Sequence, residues 1–333
     1  MSHRKTHTTV GLVGAGGISH VHLPGWLSLG YDVVVYSLDG LAPVITAQYG
    51  GEAVSSFDEL LERSSIVDVC TPTYTHRELV ESAAAAGKHV VCEKPLALTV
   101  ADCEAMIDAC ERAGVRLFPG HVVRYFPAYT TLHDAVARGS LGDLAVLRFA
   151  RMGAKPRQAW FFDTVLSGGI AVDQMIHDFD FARWVAGPIT RVHAAQSGRV
   201  GTDEPVTVHA IMTHDSGAIT HVNGVWGNSA LPFRTTFEVA GTGGVAEHDS
   251  LDHPILTFRG ATDAQETGYL PPVDPSASPY TAELADFAQA IANGSESRVT
   301  AQDGVEAVRL GCAVNESLRT GLPITLTQGT QQQ

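Results

Sequence analysis

Short apolar runs alternating with helix-period segments dominate the first 120 residues. The runs are Thr9–Val13, Val33–Tyr36, Ile66–Cys70, His89–Cys92 and Val115–Phe118. They show little of the alternation that marks a half-exposed strand, so both faces are predicted to be covered. Between them, Leu79–Ala86 and Ala101–Ala113 carry a helical pattern. Ser56-Phe57-Asp58-Glu59 is a capping-box signature in which Ser56 caps and Glu59 reaches back. This alternation predicts an α/β fold with a doubly wound parallel sheet.

The rhythm changes near Leu144. Ala145–Arg151, Val192–Gln196, Val206–Thr213, Ala218–Trp226 and Thr235–Ala240 are rich in Val, Thr and aromatic residues and partly alternate. Asp215-Ser216-Gly217 and Gly241-Thr242-Gly243-Gly244 supply turn signals between them. A second domain with a large, mainly antiparallel, open-faced sheet is the expectation. Residues 259–279, with six Gly and Pro, read as a long surface loop, and Thr281–Ala292 and Ala301–Arg319 as closing helices.

Charge narrows the function classes. Acidic residues outnumber basic ones 36 to 22, for a net charge of −14. Such a chain has no excess of cations to displace counterions from a phosphate backbone or an anionic lipid surface, so nucleic acid and membrane are excluded as expected partners. No run of about 18 apolar residues occurs, and Met1–Thr9 is polar, without a signal-peptide core. The five cysteines are odd in number and lack CxxC spacing. Cys70 and Cys92 sit inside apolar runs as small hydrophobes. A reducing, cytoplasmic location is the expectation.

Three stretches carry chemistry. After the first run comes Gly14-Ala15-Gly16-Gly17-Ile18-Ser19 and then a helical segment. Glycines there permit a tight turn and let backbone amides at a helix start approach a pyrophosphate. Gly14, Gly16, Gly17 and Ile18 are therefore candidate cofactor contacts, although the third fingerprint position is Ser19 rather than Gly or Ala. Ser37 stands at the end of the second run, where an acid would hold a ribose hydroxyl and an Arg a 2′-phosphate. Neither is present, since Asp39 comes late and no Lys or Arg lies between Tyr31 and Glu62. NAD(H) and NADP(H) both stay open.

The second stretch, Glu93-Lys94-Pro95, puts two charges where an apolar run ends, the position at which open α/β sheets bind ligands. Lys94 there can polarise a substrate oxygen as a cation; the alternative is an ordinary surface ion pair. In the third, Gly168-Gly169 opens a predicted helix on which Asp173 and His177 fall at i and i+4, on one face. A carboxylate beside an imidazole suits a general acid/base. A metal reading would use Asp173, His177 and Asp178 or Asp180, but it lacks a further ligand at fixed spacing, and no metal is expected. An ordinary charged helix face is the bland alternative.

Taken together, the chain resembles the Gfo/Idh/MocA oxidoreductases over nearly its full length. The resemblance rests on the glycine turn, Thr71-Pro72-Thr73-Tyr74-Thr75-His76, Gly87–Pro95, Ser167-Gly168-Gly169 through Asp173 and His177, and Tyr280–Leu284. Its Met175–Asp180 stretch is most similar to inositol 2-dehydrogenases and related sugar dehydrogenases. The family implies a Rossmann domain, placed at residues 1–122, and a substrate-binding and oligomerisation domain at 123–333, with closing helices able to pack back on the first domain. By resemblance, Thr71, Pro72, His76 and Glu93 line the nicotinamide side, and Lys94, Asp173 and His177 match the catalytic positions. His121, Arg124, Trp160 and Asp163 fall in pocket-bordering segments, with packing as the competing role.

The implied activity is NAD(P)-dependent oxidation of a secondary hydroxyl, or reduction of a ketone, on a sugar or cyclic polyol such as an inositol. Alternatives are an aldose 1-dehydrogenase, a ketosugar reductase, or a non-catalytic nucleotide-sensing regulator. The implied assembly is a homodimer or homotetramer through the C-terminal sheet.

Overall fold

In a computed structural model, structure is described for residues 8–199, 204–251 and 278–326. The early apolar runs form β1 (Thr9–Val13), β2 (Asp32–Tyr36), β4 (Ile66–Val69), β5 (His89–Glu93) and β6 (Leu117–Gly120); β3 (Glu52–Ala53) is added between them. They pair in the order β3-β2-β1-β4-β5-β6, every pair parallel. Helices α1 (Ser19–Ser28), α2 (Ala42–Tyr49), α3 (Phe57–Arg63), α4 (His76–Ala85) and α5 (Val100–Arg112) make the connections. This is the Rossmann strand order, and it places the carboxyl ends of β1 and β4 on either side of the switch point where such sheets take a ligand.

Every residue of β4 is buried, Asp68 included. Pro119, which has no N–H to give to a ladder, sits in edge strand β6. Ser56 caps α3 by accepting from the Glu59 amide at 3.1 Å. Glu59 reaches back one residue further than the expected box and accepts from the Ser55 amide at 2.9 Å.

Beyond α6 (Pro127–Ala137) come β7 (Leu144–Ala154), α7 (Thr164–Ser167), α8 (Gly169–Asp173), α9 (Ile176–Ala186), β8 (Ile189–Ser197), β9 (Val206–His214), β10 (Ile219–Gly227), β11 (Arg234–Gly241) and β12 (Gly244–Asp249). Helices α10 (Pro279–Asn293) and α11 (Ala301–Thr320) and a last strand, β13 (Ile324–Thr325), follow. The second sheet runs β12-β11-β7-β10-β9-β8-β13 and is antiparallel except for the β7/β10 pair. Burial alternates along β9 and β10, so one face is covered and the other open. Of the expected loop at 259–279, residues 259–277 lie outside the described residues, and Pro279 begins α10.

The chain divides into two units. The first runs to Tyr125 and includes a later stretch ending at Val305; the second starts at Phe126 and resumes at Glu306, inside α11. Helix α10 therefore belongs to the first unit, where it packs on α1. Gly25 makes room for this contact, because a Cβ there would stand 3.0 Å from a Leu284 methyl. Phe287 stacks on Phe118 at 5.0 Å between centroids.

Candidate active site

The glycine turn has the shape a pyrophosphate needs. Gly14 has φ +105°, and a Cβ on it would lie 2.6 Å from the Cys70 carbonyl, so only glycine fits. Gly16 and Gly17 are exposed, and added Cβ atoms would meet nothing within 4 Å. Both residues border open space at the start of α1, whose first turn carries no acid and whose N-cap residue, Ile18, makes no side-chain cap. The departure at Ser19 has a local cause: its buried hydroxyl donates to the Gly14 carbonyl at 3.0 Å and braces the turn from inside. These residues fit a dinucleotide held through its pyrophosphate. At the end of β2, Ser37 accepts the Ala42 amide at 2.9 Å and Asp39 the Leu41 amide at 3.1 Å, so both close the start of α2.

Around the end of β5, the segment Val90–Ala97 is buried except at Lys94, which is partly exposed. The Glu93 carboxylate is buried and accepts the Lys94 amide through Oε2 at 3.0 Å. Gly120 must lack a side chain for this, since its Cβ would lie 2.9 Å from Glu93 Oε1. His76 ties the neighbouring turn to the same loop: Nε2 lies 2.9 Å from the Thr71 carbonyl and Nδ1 3.0 Å from that of Pro95. Burial pushes His76 below the ordinary imidazole range against the pull of those carbonyls, and a neutral ring donates to only one of them. Thr71 pairs its hydroxyl with Thr75 at 2.7 Å, and Pro72 accepts from Thr75 at 2.8 Å.

In the second unit, Gly168 (φ +73°) and Gly169 (φ +69°) turn the chain from α7 into α8. Asn315 on α11 holds the Gly168 carbonyl at 2.8 Å. The single helix expected through Asp173 and His177 is in fact two. Asp173 ends α8, Gln174 and Met175 form a turn, and His177 is the second residue of α9. The simple i, i+4 face is therefore replaced by a break. Met175 sits against Gly224, where a Cβ would meet its Cγ at 2.5 Å, and the Gln174 amide donates to the Arg151 carbonyl at 3.1 Å. Packing on β7 and β10 thus interrupts a sequence that contains no helix breaker.

From Gly169 to Ala182 only His177 is other than buried. The next residue anchors it: Asp178 accepts two bonds from Arg151, at 2.9 and 2.8 Å, with both side chains out of solvent. A bidentate pair of this kind fixes α9 on β7 in one register.

Of four further residues, two are interior, one is half-buried and one caps a helix. His121 is fully buried. Arg124 is 1% exposed and gives its guanidinium to Asp303 at 3.1 Å and to the Arg298 carbonyl at 3.0 Å. Trp160 stacks on Phe161 at 3.8 Å. Exposed Asp163 caps α7 through the Val165 amide at 2.9 Å. Conversely, a buried group formed by His22, Asp68 and Glu283 escaped sequence reasoning. Its one available signal was Asp68, the only charge in an otherwise apolar run.

Comparison with known proteins matches residues 8–121 to the oxidoreductase-family model with an NAD-binding Rossmann fold, and residues 129–247 to the Gfo/Idh/MocA C-terminal domain. A myo-inositol 2-dehydrogenase of Thermotoga maritima is 30% identical, over 96% of this chain and 98% of that protein. A 1,5-anhydro-D-fructose reductase of Ensifer adhaerens is 31% identical over the same shares, 96% and 98%. Among solved structures, GenD2 from gentamicin A biosynthesis in complex with NAD superposes with a TM-score of 0.85 at 25% identity, covering 98% of each chain. With both halves matched in order around a cofactor turn of the right shape, the chain belongs to the Gfo/Idh/MocA family of NAD-binding oxidoreductases.

Proposed function

We infer that the protein passes a hydride between a secondary hydroxyl, or the corresponding ketone, of a sugar or cyclic polyol and a nicotinamide dinucleotide. The observation that carries this reading is that Lys94 and His177 are each the one partly exposed residue in an otherwise buried run, 90–97 and 169–182. A reactive side chain on rigid, buried backbone is what positioned acid–base catalysis needs. A bound nicotinamide would supply the acceptor for the hydride of the alcohol carbon. His177 accepts the hydroxyl proton, Lys94 donates a hydrogen bond to the same oxygen and stabilises its developing negative charge, and Asp173 orients substrate and imidazole. The substrate class is supported by the polyol and anhydrosugar names of the relatives.

The test is reduction of NAD⁺ and NADP⁺ by purified protein across inositols, aldoses and anhydrosugars, with NADH and NADPH oxidation by the matching ketones. Turnover with one class of polyol supports the reading. Tight cofactor binding with no turnover in either direction would shift it to a nucleotide sensor. We further propose assembly through the open face of the second sheet, where Ile211, Ile219 and Val245 are exposed; light scattering of the eluting protein tests this. A reducing cytoplasmic location suits five free thiols.

A further inference from the structure

Three acidic side chains and one imidazole meet in the interior of the first unit, drawn from four separate elements. His22 on α1 is fully buried. Its Nδ1 lies 2.8 Å from Asp68 Oδ2 on β4, and its Nε2 lies 3.0 Å from Glu93 Oε1, an ion-pair contact rather than an aligned hydrogen bond. Asp68 Oδ2 also accepts from the Trp26 indole at 2.7 Å. Glu93 spends its other oxygen on the Lys94 amide at 3.0 Å. A continuous line of contacts therefore runs from Trp26 through Asp68, His22 and Glu93 to the backbone of Lys94.

We propose that His22 is a positioning residue, which fixes the Glu93 carboxylate from the side opposite Lys94 and so holds the Lys94 backbone in place for catalysis. The proposal rests on the role given to Lys94 above.

Charge supports it. Two buried carboxylates need a cation, and replacing such groups by apolar ones costs a fold little, so their presence calls for a use. The groups facing the ring are Asp68 from β4 and Cys70 just after it, Glu93 from β5, and Glu283 and Tyr280 from α10. Burial, the largest influence, opposes a charged ring; the Asp68 carboxylate, by its charge and its hydrogen bond, and the Cys70 sulfur pull the other way, and His22 comes out well above the imidazole range. Burial holds the Cys70 thiol up at about 12. Gly120 packs close to the same oxygen, since a Cβ there would lie 2.9 Å from Glu93 Oε1.

The experiment compares the parent with His22→Gln, Glu93→Gln, the double variant and Lys94→Ala, using the polyol turned over by the parent and NADH binding by fluorescence. His22→Gln should lower kcat roughly 100-fold, the scale of a 1 Å misplacement, while KM and the NADH Kd stay within about threefold. It should add no further loss once Glu93→Gln is present. An unchanged kcat in folded His22→Gln, or losses that multiply with those of Glu93→Gln, overturns the proposal while Lys94→Ala remains inactive. An active Lys94→Ala overturns the reading of the site itself. If His22→Gln does not fold, Asp68→Asn keeps an oxygen for Trp26 and should show the same split between kcat and KM. The parent also decides independently: ¹⁵N-histidine NMR should find one of the 15 histidines doubly protonated at pH 8, and neutral rings throughout would overturn the proposal.

Discussion

Glu283→Gln is expected to stabilise the protein at neutral pH and to lose that advantage in acid. Glu283 is fully buried on α10; burial first, and the charge of Glu93 second, raise its carboxyl well above the usual 4.5. The folded state keeps this proton where the unfolded chain releases it. Since the native state binds more protons, stability falls with rising pH from about the unfolded value upward, by about 1.4 kcal/mol per pH unit. From 4.5 to neutrality that sets a ceiling of roughly 3 kcal/mol. Glutamine is uncharged in both states and removes the slope, but its amide brings donors that cost about 1–2 kcal/mol if left unmet. The net expectation is a gain of roughly 1–2 kcal/mol at pH 7, about 2–8 °C in melting temperature, turning into a small loss at pH 5. Scanning calorimetry of both proteins from pH 5 to 8 measures it. A gap between the two curves that stays constant with pH would refute the buried neutral carboxyl.

Other expectations follow from the same contacts. Asp178→Asn leaves the buried Arg151 guanidinium uncompensated and should cost about 3–5 kcal/mol by urea unfolding; a loss under 1 kcal/mol would mean that the pair does not anchor α9. Gly14→Ala forces both a positive φ and a clash with the Cys70 carbonyl, so NADH affinity, read by titration calorimetry, should fall at least tenfold; parent-like affinity would remove the turn from the cofactor site. In His177→Ala the acid-side decline of the oxidation rate should vanish along with most of the turnover, because the group whose protonation blocks proton transfer is gone. A pH profile of unchanged shape would assign His177 to binding.

Much of the fold was legible because its central strands have no polar face. β1, β4 and β5 appear in the sequence as predominantly apolar runs, Asp68 apart in β4, and their limits shift by one residue at most. β3 was not legible: two residues, Glu52 and Ala53, carry no pattern and pair only because β2 offers an edge. β12, Gly-Val-Ala-Glu-His-Asp, is half-exposed and too polar to read as a strand. The break between α8 and α9 left no trace either, since Ala171–Ile176 holds neither glycine nor proline, and the cause lies on β7 and β10, dozens of residues away. Site residues split along the same line. Gly14 and Lys94 announce themselves by local chemistry, whereas His22, Asp68, Glu93 and Glu283 become a group only when four elements are brought together. Arg124 shows the converse. Resemblance put it in a pocket-bordering segment with packing as the competing role, and it lies buried on Asp303, a carboxylate that burial would neutralise but that Arg124 and the Thr300 amide hold at about 2.

The central claim is that Lys94 acts on the substrate oxygen rather than merely helping to hold the dinucleotide. It is tested most directly by single-turnover hydride transfer in Lys94→Ala and in the parent, each preloaded with saturating cofactor, with NADH affinity measured on the same samples. The account predicts a hydride-transfer rate at least 100-fold slower with NADH affinity within about threefold of the parent. Transfer at the parental rate, or a slowing fully explained by lost cofactor binding, would contradict it.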